Sequence, residues 1–128
     1  VDAYYPLTGK NNPTLQELRT AFHPVLNTLS TLSSTWNRPI LLTEIGYRSI
    51  DGANRQPWNW QRDGLLDLQE QNLCYLAALD ALAPQPWLKG IFWWVWQAEE
   101  PLFPANNKGY GIYRKPAEQI LRAFYLLP

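Results

Sequence analysis

Pro39-Ile40-Leu41-Leu42-Thr43-Glu44-Ile45-Gly46-Tyr47-Arg48-Ser49 opens as an apolar run and reaches a carboxylate at Glu44. A short continuous apolar run is what a strand buried on both faces shows. A charge inside such a run is costly unless it is paired or used. The C-terminal end of a parallel strand is where α/β folds keep their chemistry. Glu44 is therefore the leading candidate for a catalytic residue. A structural carboxylate paired with Arg48 or Arg38 is the competing reading, since structural ion pairs leave the same trace in sequence.

Outward from this stretch, the chain alternates strand and helix signals. On the N-terminal side, Val1-Asp2-Ala3-Tyr4-Tyr5 reads as a short strand already under way, so the chain is expected to be cut from something longer. Leu15, Leu18, Ala21 and Phe22 recur at helical spacing, as do Val25, Leu26, Leu29 and Leu32. Pro24 between them predicts a break or kink, with His23 a boundary or surface residue. On the C-terminal side, Arg48 to Gly64 is a long polar loop holding Trp58 and Trp60, and loops of that length are usually functional or mobile. Leu65 to Leu82 predicts a helix with Leu65, Leu68, Leu73, Leu76, Ala77 and Leu79 toward the core. Gly90 to Trp96 predicts the third strand, with Phe92, Trp94 and Trp96 on one face and Ile91, Trp93 and Val95 on the other. A second loop follows from Gln97 to Tyr113. Pro116 then opens a last helix to about Leu126, its stripe Ala117, Ile120, Leu121 and Phe124.

Strands separated by helices read as parallel βα units. Each unit takes about 40 residues, the size found in the larger α/β barrels. No strand is followed by a glycine-rich phosphate loop, so no nucleotide cofactor is expected. No His, Cys or carboxylate set has ligand spacing, so no metal is expected. Lys plus Arg equals Asp plus Glu, at 11 each, which argues against a nucleic-acid surface. No apolar run is long enough to span a bilayer, no signal-peptide pattern opens the chain, and no membrane partner is expected. The single cysteine, Cys74, lies in an apolar helical pattern and reads as a buried inert thiol.

Seven tryptophans and seven tyrosines are the unusual feature of the composition. Several sit just after the expected strands. A carboxylate beside aromatic platforms suits sugar chemistry, in which one carboxyl donates a proton and a second acts as nucleophile or base. Glu44 is the candidate nucleophile. Tyr4 or Tyr5, ending the neighbouring strand, is placed to supply a hydrogen bond to it, and Tyr4 is favoured. Asp2 faces the same way as Tyr4 and is a candidate to bind a hydroxyl or hold the geometry. Asp2, Asp51, Glu99 and Glu100 are the available second carboxylates, and none has a strand-end position like that of Glu44.

Four stretches together resemble the C-terminal half of glycoside hydrolase family 113, the endo-β-1,4-mannanases of the retaining (β/α)8-barrel clan. They are Asp2-Ala3-Tyr4-Tyr5-Pro6-Leu7, Thr43-Glu44-Ile45-Gly46-Tyr47-Arg48-Ser49, Gly90-Ile91-Phe92-Trp93-Trp94-Val95-Trp96 and Lys115-Pro116-Ala117-Glu118. Pro57-Trp58 and the helix with Gln71 and Tyr75 are similar too. The resemblance implies an α/β fold of three βα units corresponding to strands 6–8 and helices 6–8 of a TIM barrel, with residues 1–128 as one domain. It implies Glu44 as nucleophile, an acid/base glutamate outside this chain, and an oligo- or polysaccharide substrate contacted by Asp2, Tyr4, Tyr47, Trp58, and Trp94 or Trp96. The remainder of the barrel would come from a missing N-terminal half or from a homodimer partner. Two rival readings are a non-catalytic carbohydrate-binding or degenerate relative, and a self-contained α/β interaction module in which Glu44 is structural.

Overall fold

The computed structural model describes residues 1–96, 104 and 106–126. Five elements follow in order: α1 (Leu15–Trp36), β1 (Ile40–Ile45), α2 (Leu68–Leu82), β2 (Leu88–Trp93) and α3 (Pro116–Leu126). β1 and β2 pair in parallel. The segment predicted as a first strand, Val1 to Tyr5, lies on the other side of β1 and is reduced to one parallel bridge, Asp2 with Glu44. The Ala3 N–H donates to the Glu44 carbonyl at 2.6 Å, and the Thr43 N–H donates to the Val1 carbonyl at 2.9 Å. α1 packs on α2, and α2 packs on α3.

α1 departs from expectation, because it runs unbroken through Pro24. Its start is set by a capping box, in which Thr14 accepts from the Glu17 N–H and Glu17 accepts from the Thr14 N–H. It ends at Asn37 in the left-handed region, φ 47°. Leu18, Phe22, Val25 and Leu29 are buried at spacings of one helical stripe. Pro24 lies on the opposite, exposed face. Burying that stripe on both sides of the proline outweighs the roughly 3 kcal/mol that an interior proline costs.

The core lies between the helices and one side of the sheet. Phe22, Leu29, Ile40, Leu42, Ile45, Cys74, Tyr75, Ala78, Leu82 and Ala117 belong to it. Three other features differ from the sequence reading. α2 begins at Leu68, capped by the Asp67 carboxylate, which accepts from the Glu70 N–H; Leu65 precedes the cap and is exposed. β2 begins earlier and ends at Trp93, so Trp94 and Val95 belong to a turn. Phe124, expected in the α3 stripe, is exposed.

β1 carries an irregularity at its end. Leu42 pairs with Ile91 and Ile45 with Trp93, so three steps on β1 match two on β2. An extra residue of this kind shifts the phase of side chains along a strand. Ile40 and Leu42 point into the helices, and strict alternation would send residue 44 there too. Instead Ile45 is buried against the helices and Glu44 is only half-buried. The irregularity releases the carboxylate from the core.

Candidate active site

Glu44 opens onto a groove of about 360 Å³ lined by Tyr4, Glu44, Trp58, Trp60, Trp94 and Tyr110. The Tyr4 hydroxyl donates to Glu44 Oε2 at 3.1 Å. Burial first, then the hydrogen bond and the charge of Glu44, push the Tyr4 phenol far above its ordinary range, so it stays a donor. Neither arginine offered as an ion-pair partner reaches Glu44. The Arg48 Nε donates to the Lys108 carbonyl at 3.1 Å, and Arg48 Nη1 donates to the Arg62 carbonyl. Arg38 Nη1 donates to the Asn37 carbonyl. Among the described residues, Glu44 is in no salt bridge.

The remaining walls come from loops. Trp94 follows β2, and its N–H donates to the Ile45 carbonyl at 2.7 Å. Gly46 makes that approach possible, because a Cβ there would stand 2.1 Å from the Trp94 carbonyl oxygen. Tyr110 meets Tyr4 edge-on with ring centroids 6.2 Å apart. Its hydroxyl donates to the Pro57 carbonyl at 2.6 Å, tying it to the loop that bears Trp58 and Trp60. That loop is closed at its neck. Asp51 N–H donates to the Leu65 carbonyl at 2.9 Å and Asp67 N–H to the Ser49 carbonyl at 3.0 Å.

Of the residues expected to touch a sugar, Tyr4, Trp58 and Trp94 line the groove with Glu44. Asp2 stands beside it and accepts from the Thr43 hydroxyl at 2.6 Å, which suits the geometry-holding role. Tyr47 requires correction: it is 1% exposed and packs edge-on against Tyr75, so it supports the site from beneath and cannot stack on a solute. Trp96 is exposed and lies edge-on to Tyr113, away from the groove lining. Asp51 is held by the Asn11 and Asn12 side chains. Glu99 and Glu100 lie outside the described residues. Sequence reasoning did not single out Trp60 or Tyr110 as site residues. Trp60 shares a loop with Trp58, and that was the available signal; Tyr110 sits between two glycines in a segment with no periodicity.

The fold does gather carboxylates that spacing alone did not reveal. Asp51, Asp67 and Glu70 bring oxygens within 4.8 Å of one another. Glu70 accepts from the Gly52 N–H, the Asn54 N–H and the Asn54 side chain at 2.8–2.9 Å, and Asp67 caps α2. These donors meet the charge of Glu70 without a cation. A second cleft of about 380 Å³ between α1 and α2 is lined by Arg19, His23 and Asp80, where Arg19 and Asp80 bond each other. Cys74 is buried, and burial first, then the Glu70 and Asp67 charges, raise its thiol well above the ordinary value. No helix among the described residues is long and apolar enough to cross a membrane.

Comparison with known proteins bears on the family and the fold. The Glycoside Hydrolase Family 113 model matches residues 1–115. Two structures described as GH113 β-1,4-mannanase superpose with TM-scores of 0.81 and 0.78, at 25% and 24% identity. Each match covers 99% of this chain and 38% of that structure. The GH113 β-mannanase AaManA of Alicyclobacillus acidocaldarius, in complex with ManMIm, is 28% identical, with a TM-score of 0.77 over 98% of this chain and 37% of its own. No curated protein matches. The α/β fold is thus similar to that of GH113 TIM-barrel structures, of whose length this chain spans somewhat over a third. With the family model matched over most of its length, the chain belongs to glycoside hydrolase family 113.

Proposed function

We propose that this chain carries the nucleophile half of a retaining β-mannanase site, as strands 6–8 and helices 6–8 of a TIM barrel. The observation that carries the reading is a carboxylate at a strand end, free of cationic partners among the described residues, held by a phenol inside an aromatic groove. Aromatic faces accept the apolar faces of pyranose rings, and the carboxylate waits at the bond to be broken. A Glu44 oxygen forms a bond to the anomeric carbon as the glycosidic C–O bond breaks, and the leaving oxygen takes a proton from a second carboxyl group. Water then gives its proton back to that group and attacks the same carbon, which releases Glu44.

The second carboxyl must stand roughly 5–5.5 Å away in a retaining site. Glu44 is the one carboxylate among the described residues lining the groove. The acid/base therefore comes from outside the described residues, and we assign it to the remainder of the barrel, supplied by further chain or by a partner copy. Tyr4 keeps the nucleophile oriented, and Trp94, Trp58 and Trp60 grip the sugar.

The test is hydrolysis of β-1,4-mannan by the chain joined to a complete barrel. A mannosyl fluoride bearing fluorine at C2 should trap a covalent adduct on the peptide containing Glu44, read by mass spectrometry. An adduct elsewhere, or binding with no turnover by the complete barrel, would replace the enzyme reading with the carbohydrate-binding one.

A further inference from the structure

We infer that Lys115 is a positioning residue: its buried ammonium holds the Asn107–Tyr110 segment so that Tyr110 stands as a wall of the groove. The role of that groove in sugar binding rests on the reading above. Lys115 is 2% exposed. Its Nζ donates to Ser49 Oγ at 2.8 Å, Asn107 Oδ1 at 3.1 Å and the Gly109 carbonyl at 3.4 Å. An ammonium has three N–H donors, and three oxygens from two separate loops meet them. Ser49 follows β1, three residues from Gly46 and its contact with Trp94. Asn107 and Gly109 lead directly into Tyr110.

The arrangement is one that packing alone would not choose. A buried lysine usually finds a carboxylate. Among the described residues the acceptors are neutral, and burial lowers the Lys115 pKa to about 8. Among the described residues, the charged groups on the surrounding elements are engaged elsewhere. Arg48 bonds the Lys108 and Arg62 carbonyls, and Lys108 pairs with Asp63. Glu118 accepts from Arg122 and from the Arg114 N–H. On α2, Glu70 serves Gly52 and Asn54.

The connection to the groove is short. Ser49 Oγ lies 2.8 Å from the Asn107 carbonyl, and the Ser49 N–H donates to the Gly109 carbonyl at 3.2 Å. The Gly109 N–H donates to Asn107 Oδ1 at 2.8 Å, the same oxygen that Lys115 holds. Tyr110 then reaches Tyr4 with its ring and Pro57 with its hydroxyl. Lys115 thereby sets a residue that touches both the nucleophile's hydrogen-bond donor and the tryptophan-bearing loop, without touching the groove itself.

A merely structural lysine and a positioning one separate in Lys115→Met. An apolar side chain of similar length removes a buried charge without leaving a hole, so the melting temperature should hold or rise. Hydrogen-exchange protection of the Gly109 amide should nevertheless fall about tenfold, the scale of one lost hydrogen bond. The ring-current shifts that Tyr4 and Tyr110 impose on each other should collapse in the NMR spectrum. Retained protection and retained shifts in folded Lys115→Met would overturn the inference. If that variant does not fold, Ser49→Ala decides: a smaller loss of Gly109 protection supports the role, and an unchanged value ends it. Titration with mannohexaose adds the link to function, with affinity about tenfold weaker in Lys115→Met, again the scale of one lost hydrogen bond. A wild-type chain that binds no mannohexaose while showing the exchange result would count against the mannan reading alone.

Discussion

The two sides of β1 differ sharply. Toward the helices, Ile40, Leu42 and Ile45 are buried in a continuous core. On the opposite side, Leu41 is 44% exposed, and Phe92 on β2 is 61% exposed. One side is a finished layer of helix on sheet. The other is an apolar surface with no second layer on it among the described residues. Soluble chains rarely leave such surface open, and the relatives that share this fold are more than twice as long. The difference teaches that stability and the candidate site are divided here: the helix side holds the chain together, and the open side presents Glu44, Tyr4 and Trp94.

The largest test of that division is Glu44→Gln in a complete barrel. Mannan hydrolysis should fall on the order of 10⁴-fold, as loss of a nucleophile does, while urea denaturation of the chain is unchanged. Phe22→Ala attacks the other side and should cost about 3–5 kcal/mol in the same denaturation experiment. Phe92→Ala on the open face should cost the isolated chain about 0.5 kcal/mol or less. Equal losses at Phe22 and Phe92 would abolish the distinction between the sides. Gly46→Ala probes the seam between them: moving the Trp94 backbone out of the way should cost about 2 kcal/mol and change the tryptophan fluorescence. Tyr4→Phe should leave stability alone and slow hydrolysis by about tenfold, the value of one hydrogen bond to a charged group at the lower end.

The smallest effect lies farthest from the groove. The Lys10 and Thr14 hydrogen bonds hold the Glu17 carboxyl at about pKa 2, below its ordinary 4.5. A lowered folded-state pKa contributes stability that is present above pH 4.5 and is lost as pH falls toward 2. Circular dichroism should show the N-terminal turn of α1 loosening in that window, with the Glu44 groove unaffected.

The sequence made some of this legible and hid the rest for physical reasons. Glu44 stood out because a carboxylate closing an apolar strand has few uses. Alternation left Tyr4 and Tyr5 as alternatives, with Tyr4 favoured, and Pro116 marked the start of α3. The extra residue near Glu44 was not visible, since a bulge leaves no periodic trace. Neither was the continuity of α1, where packing on both sides of Pro24 overrides a local preference. The resemblance puts Tyr47 at the site, but the chain after β1 buries it beneath the sheet end. Tyr110 and Trp60 sit in loops, where no period tells which residue faces which wall.

Glu70 has a consequence for how such a protein can diverge. From α2 it grips Gly52 and Asn54, at the stem of the Arg48–Gly64 loop, and the crossing bonds to Leu65 and Ser49 close that stem. Trp58 and Trp60 hang beyond it. The tip behaves as a cassette on a prefabricated socket: descendants that differ only between Pro57 and Gln61 would inherit folding intact and differ solely in the wall they give the groove.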